Sequence, residues 1–199
     1  MVKADCGGCE GCSQCCRGMG RSIILDPYDV YRLTTGLGKS MQELLATAVE
    51  LNVVDGVILP NLKMQGTKEA CAYLDTEGRC SIHPYRPGIC RLFPLGRHYE
   101  NGGLFYFLQT GECVKENRSK VKVSKWIDTP ELKRNEQFKL QWHDLLSAMT
   151  DRVAGEDEGK QREENLLLLR LFYLLPYEGT TDFYSQFTER MEHWNEQTG

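Results

Sequence analysis

The chain has 199 residues, a hydrophobic fraction of 41% and a formal charge of −4. That length suits one medium domain, or a domain with an appended piece, and is enough to bury a real core. The acidic balance gives no general electrostatic reason to expect nucleic acid or an anionic membrane, since both attract clustered bases. The N-terminal MVKADCGG lacks the apolar core of a signal peptide, and no run approaches the length that spans a bilayer; Arg170 breaks the longest apolar stretch, residues 166–175. The expected compartment is the cytoplasm. Thiols stay reduced there, so nine cysteines point to metal rather than to a disulfide framework.

The first element in chain order is CGGCEGCSQCC, which holds five of those cysteines, with Cys6, Cys9, Cys12 and Cys15 spaced by two residues each and Cys16 directly after. Asp26 followed by Pro27 reads as a cap and first helical residue, with the helix closing at Gly36 or Gly38. Ser40-Met41-Gln42-Glu43 is a capping box opening a second short helix to about Val49. Residues 53–60 are rich in β-branched side chains around Asp55-Gly56 and read as strand with a turn or bulge. Residues 72–74 form a short strand and residues 75–78 a turn leading from Cys71 to Cys80. Asn101-Gly102 between residues 96–100 and 104–108 is a hairpin signal. Residues 115–125 are basic but carry no stacking array of aromatics, so no nucleic-acid partner is expected. Thr129-Pro130-Glu131 reads as the N-cap of a long amphipathic helix to about Met149. After a loop at residues 154–159, helices are expected over residues 161–175 and 182–196.

The spacing C-x-x-C turns two sulfurs toward one metal, which suits zinc or an iron–sulfur cluster. The run is similar to that of bacterial ferredoxins, yet no proline follows the last cysteine and no second copy exists. Neighbouring side chains project in different directions, so Cys15 and Cys16 are not expected to share one tetrahedral ion without strain. Two metal sites, or one polynuclear centre, fit the doubled cysteine better. A second group, Cys71, Cys80 and Cys90 with Cys113 beyond, can close a site that the first strip begins, across a long chain loop.

Cys9, Cys12, Cys15 and Cys16 followed by Arg17, then Gly78-Arg79-Cys80-Ser81-Ile82 and Tyr85-Arg86-Pro87 before Cys90-Arg91-Leu92-Phe93-Pro94, resemble the CxxCxxCC cysteine-cluster family of zinc- or iron-chelating proteins, which includes flagellin N-methylase. The resemblance implies a metal centre on Cys9, Cys12, Cys15, Cys16, Cys71, Cys80 and Cys90, with Cys113 as a further member; Cys6 lies outside the pattern. Through the methylase branch it also implies an iron–sulfur cluster and methyl transfer from S-adenosylmethionine to lysine. No glycine-rich loop of the common methyltransferase fold is visible, and function resides in the site rather than the fold.

Arginines crowd the same segments, and they either offset the charge of a polythiolate centre or form an anion pocket, with Arg86 and Arg91 the first choices for holding a bound cofactor. His83 and His98 flank the second group without a pattern that marks them as ligands. The expectation is an α-rich α+β protein: a small irregular metal-stapled cysteine unit with short strands at residues 1–128, covered by a helical extension packed on it at residues 129–199. Its expected function is to bind a metal cluster, a [4Fe-4S] centre before zinc, because adjacent cysteines in excess of four suit a polynuclear site. The alternatives are an S-adenosylmethionine-dependent protein lysine methyltransferase and a structural zinc module presented to a protein partner. Whether the chain is an enzyme stays open, and neither a membrane nor nucleic acid is among the expected partners.

Overall fold

The computed structural model describes residues 1–5, 7, 12–115 and 117–198. In chain order the elements are β1 (Val2–Asp5), a 3-10 turn (Gln14–Cys16), α1 (Pro27–Leu37), α2 (Met41–Thr47), β2 (Val49–Val54), β3 (Val57–Leu62), β4 (Met64–Gln65) and β5 (Ala70–Cys71). A second 3-10 turn (His83–Tyr85), α3 (Gly88–Leu92), β6 (Leu95–Glu100), β7 (Gly103–Leu108), β8 (Ser119–Val121) and α4 (Val123–Ile127) follow. The chain ends with α5 (Leu132–Val153), α6 (Glu158–Leu169), a π-helical stretch (Arg170–Leu174) and α7 (Phe183–Thr198). The protein is mixed helix and strand, 46% helical and 20% strand, with its long helices at the C-terminal end. Each sheet is an antiparallel pair: β1 with β8, β2 with β3, β4 with β5, and β6 with β7. Among the described residues no helix is long and apolar enough to cross a membrane.

The chain divides into two compact units, one of Met1–Ile23 with Lys63–Leu140 and one of Ile24–Leu62 with Gln141–Gly199. In the first, β8 returns to the N-terminus and sets Val121 opposite Val2. The β6–β7 hairpin turns through Asn101 and Gly102, both at positive φ, as the Asn-Gly pair demands. A small core of Leu92, Leu95 and Ile127 gathers Val2, Tyr106, Leu108, Val123, Trp126 and Leu132. The Trp126 indole donates to the carbonyls of Leu92 and Phe93 at 3.2 Å each, and Tyr106 Oη donates to Glu136 at 3.0 Å, so the polar tips of these rings are satisfied.

The second unit starts from two capping boxes. Asp26 accepts from the Asp29 amide while Asp29 reaches back, and Ser40 with Glu43 repeats the arrangement at α2. Gly38, in the left-handed region, closes α1, whereas Gly36 lies inside the helix. The Asp55-Gly56 turn makes a full hairpin of β2 and β3, so Val49 opens a strand where a helix end was expected. Asn165, 4% exposed, joins that hairpin to α6: its carbonyl accepts from Ile58 N at 2.6 Å, and its amide donates to Gly56 O at 3.1 Å. The rings of Trp142, Phe172, Phe187 and Trp194 pack in edge and tilted contacts at about the same spacing, 5.1 to 6.4 Å between centroids.

Two helices depart from expectation. The start of α5 is Leu132, because proline disfavours helical geometry in the residue before it and Glu131 takes φ 49°; the Thr129 hydroxyl donates to Ile127 O at 3.4 Å. The same helix continues to Val153, one turn past Met149 on the same buried face. The helix expected over residues 161–175 changes to π-helical winding at Arg170.

On α5, Lys139 is 4% exposed, with its amine 5.2 Å from the Phe138 ring centroid. Burial pushes its pKa down to about 7. The unfolded chain therefore holds the proton up to about 10.5, and stability rises between these two values as pH increases. Lys139→Met should stabilise the protein by roughly 1–3 kcal/mol at pH 6, with the difference closing toward pH 10. Urea unfolding at both pH values reads the outcome.

Candidate metal centre

Backbone pairing assembles the cysteines of the first unit. Gly66 and Glu69, both at positive φ, close the β4–β5 hairpin and leave Cys71 opposite Met64. The strip leaving the Gln14–Cys16 turn joins this hairpin: Arg17 bridges Ala70, and Gly18 N donates to Glu69 O at 2.9 Å. In an antiparallel bridge the residue before one partner faces the residue after the other, so Cys16 comes alongside Cys71. Beyond Cys71 the chain turns back on itself. Asp75 accepts from the amides of Glu77 and Arg79 at 3.0 and 2.7 Å, Asp75 N donates to Arg79 O at 2.8 Å, and Leu74 bridges Cys80. The side-chain carboxylate mimics a turn here. The 3-10 turn that follows takes His83 N to Cys80 O at 3.2 Å and delivers Arg86.

Electrostatics show the result. The Cys16 thiol is pushed up by its hydrogen bond with Cys15, by burial, and by the charges of Cys15, Cys80 and Cys71. The partner, Cys15, is pushed down to about 7, first by that same bond, with the Arg86 guanidinium adding to the fall. Burial raises Cys71, and Cys80 and Cys15 add to it; burial likewise raises Cys80, where Arg86 opposes and Cys15 adds. Cys15, Cys16, Cys71 and Cys80 are therefore electrostatic neighbours, with one guanidinium acting on two of them. The divergence expected of Cys15 and Cys16 is not what the turn produces, since tight 3-10 winding lets the two side chains meet in a hydrogen bond.

Two backbone amides face sulfur in the same local pattern. Tyr73 N–H donates to Cys71 and Ile82 N–H to Cys80, and each bond favours the thiolate. The sequence reading missed these donors. Their signal was present in Cys71-Ala72-Tyr73 and Cys80-Ser81-Ile82, where a small residue after each cysteine lets the backbone fold over the sulfur.

The other candidates are placed as follows. Cys12 is half-buried just ahead of the 3-10 turn, Cys90 half-buried on α3, and Cys113 half-buried in the loop after β7. Nothing among the described residues links Cys113 to the four-thiol group. Cys6 and Cys9 lie outside the described residues. Arg86 is half-buried, whereas Arg91, 5% exposed, donates to Asp128 O at 3.3 Å and so supports the end of α4. His83 is exposed, its pKa lowered by partial desolvation and then by Arg86. His98 stands on the β6–β7 hairpin, 3.8 Å from Glu100.

Among the described residues no three His, Cys, Asp or Glu side chains form a ready ion cage. The four thiols are neighbours rather than a closed coordination sphere. Their donor set still fits a soft metal: several sulfurs, amide donors to two of them, and a cation to offset thiolate charge. A model of the CxxCxxCC family, described as a putative zinc- or iron-chelating domain, matches residues 8–120. No curated protein and no solved structure matches the chain.

In reduced, metal-free protein, Cys15 should be alkylated by iodoacetamide as pH rises through about 7, ahead of Cys71 and Cys80. Arg86→Gln should slow Cys15 alkylation at pH 7 by about threefold, because the thiolate fraction falls. Peptide mass spectrometry follows each site, and an unchanged rate would remove Arg86 from the electrostatics of the centre.

Proposed function

Because the chain belongs to the CxxCxxCC family of zinc- or iron-chelating domains, we propose that it is a metal-cluster-binding protein whose centre is an iron–sulfur cluster, with ligand cysteines drawn from both sequence groups. The single observation that carries this reading is the gathering of Cys15, Cys16, Cys71 and Cys80 from two distant segments into one electrostatic group. These four would hold the centre, with Cys9, Cys12 and Cys90 completing the set and Cys113 as an outlying member. Zinc in tetrahedral thiolate sites needs four sulfurs per ion, and adjacent sulfurs in excess of four suit a polynuclear centre better.

When bound, such a cluster supplies one-electron chemistry, or a Lewis-acid iron where a thiolate is lacking. The chain's own residues do the rest. The Tyr73 and Ile82 amides partly oppose the burial that raises Cys71 and Cys80, and Arg86 offsets charge at Cys15 and Cys80. Arg86 is the candidate for an anionic group of a bound cofactor, while Arg91 is spent on the fold.

The test is metal and acid-labile sulfide analysis with an absorption spectrum, on protein expressed with added iron and purified without oxygen. Iron and sulfide in a fixed ratio, with a broad visible charge-transfer band, are expected. Replacing Cys71 and Cys80 together by alanine should cut occupancy at least about tenfold. Colourless protein carrying stoichiometric zinc would overturn the iron–sulfur assignment and leave a structural zinc module, and protein without either metal would overturn the reading altogether.

A further inference from the structure

The second unit has a half-open cavity of about 290 Å³ whose lining contains no cysteine. One wall is the end of α1 and the start of α2, from Thr34 to Gln42. The other is the π-helical stretch and the loop from it to Gly179. Single π-turns cost helix regularity and occur often at functional sites.

The second wall is built from within. Arg190, 5% exposed, donates to the carbonyls of Leu171 at 2.5 Å, Leu175 at 3.0 Å and Pro176 at 2.8 Å, and its guanidinium lies 3.6 Å from the Tyr177 ring centroid. It caps the backbone groups that the irregular winding leaves over and fixes Tyr177 by a cation–π contact. Tyr173 Oη donates to Leu25 O at 3.1 Å and Tyr177 Oη to Phe172 O at 3.0 Å, so neither phenol is left over for a ligand.

Across the cavity, the hydroxyls of Thr34 and Thr35 donate to Val30 O at 2.8 Å and Tyr31 O at 2.6 Å. Ser40 is engaged with Glu43 in the capping box. The lining residues whose side-chain donors are not engaged in these bonds are Lys39 and Gln42, both exposed to solvent, and the lining holds no Asp or Glu. Glu43 feels the Lys39 charge but does not line the cavity. The lining surface is mostly apolar, and Met41, Leu174 and Tyr177 are among its apolar residues.

A mostly apolar, half-open cavity lined by one cation, one amide and no acid suits an anion with an apolar body. We propose that this cavity binds small organic carboxylates, the carboxylate at Lys39 and Gln42 and the body against Met41, Leu174 and Tyr177. The volume is near the lower limit of small-molecule pockets and suits a chain or ring of about six to ten carbons. The inference does not depend on the metal reading.

Titration of the full chain, as purified with its metal, with hexanoate and phenylacetate tests it by amide shifts in heteronuclear NMR. Hexanamide and hexylamine are the controls. Both acids should shift residues 34–42 and 173–179, binding about tenfold more tightly than the amide. Lys39→Gln, at an exposed position, should abolish that preference. Thr35→Trp at the rim should block both acids while leaving the far-ultraviolet spectrum unchanged. Equal binding of acid and amide, shifts that map elsewhere, or none at about 10 mM would overturn the proposal.

Discussion

Four half-buried thiols held beside one another are the constraint on which the first unit turns. Burial first, and then the neighbouring sulfurs, make Cys71 and Cys80 harder to ionise; the hydrogen bond between Cys15 and Cys16 raises Cys16 and lowers Cys15. The chain answers with local devices: amides turned onto sulfur at Tyr73 and Ile82, an S–H shared between Cys15 and Cys16, and Arg86 close to two sulfurs. These devices explain why the strands are so short. The β4–β5 pair, the Arg17–Ala70 bridge and the Leu74–Cys80 bridge are each long enough to position a cysteine and no longer. The hydrophobic cluster beside them, centred on Leu92, Leu95 and Ile127, is small, and a bound metal would add the free energy that so small a core lacks.

The second unit solves a different problem by different means. All seven described cysteines fall in the first unit, and the second is instead held by rings, with Trp142, Phe172 and Phe187 in mutual contact and Phe183 packed on Phe187. Its buried polar groups are largely spent on backbone. Asn165 completes the hairpin turn at Gly56 and Ile58, and Arg190 satisfies three carbonyls near the π-helical stretch. A buried cation directed at carbonyls fixes backbone geometry, at the expense of desolvation that lowers its own pKa.

Legibility in the sequence followed the range of the interaction. Caps at Asp26 and Ser40 and the Asn101-Gly102 hairpin rest on contacts within four residues, and the structure contains all three. Asp55-Gly56 was legible as a turn, but the pairing of residues 49–54 with 57–62 depended on side chains such as Asn165, more than a hundred positions away. The Thr129 cap failed because its residue type was right while the backbone after Pro130 went elsewhere. The cysteines were legible as a group by spacing alone. Which of them meet was not, because the Arg17–Ala70 bridge that sets Cys16 beside Cys71 has no signature in either segment. Nor does composition announce a π-helical stretch: after Arg170, residues 171–174 continue the apolar run of Leu166–Leu169 that ends α6.

The interleaving of the two units along the chain bears on the order of events during synthesis. β1 cannot pair until β8, ending at Val121, has been made, and the Gln14–Cys16 turn must wait for Ala70. The helices of residues 24–62 wait longer, since Asn165 and Tyr173 complete their surroundings. A nascent chain emerging N-terminus first therefore displays its cysteine strip to the cell for dozens of residues before the strip has a folded partner. Contacts of such long sequence separation form slowly. That interval is a window in which reduced thiols are open both to oxidants and to whatever donates metal, so loading and folding become one kinetic competition rather than two successive steps.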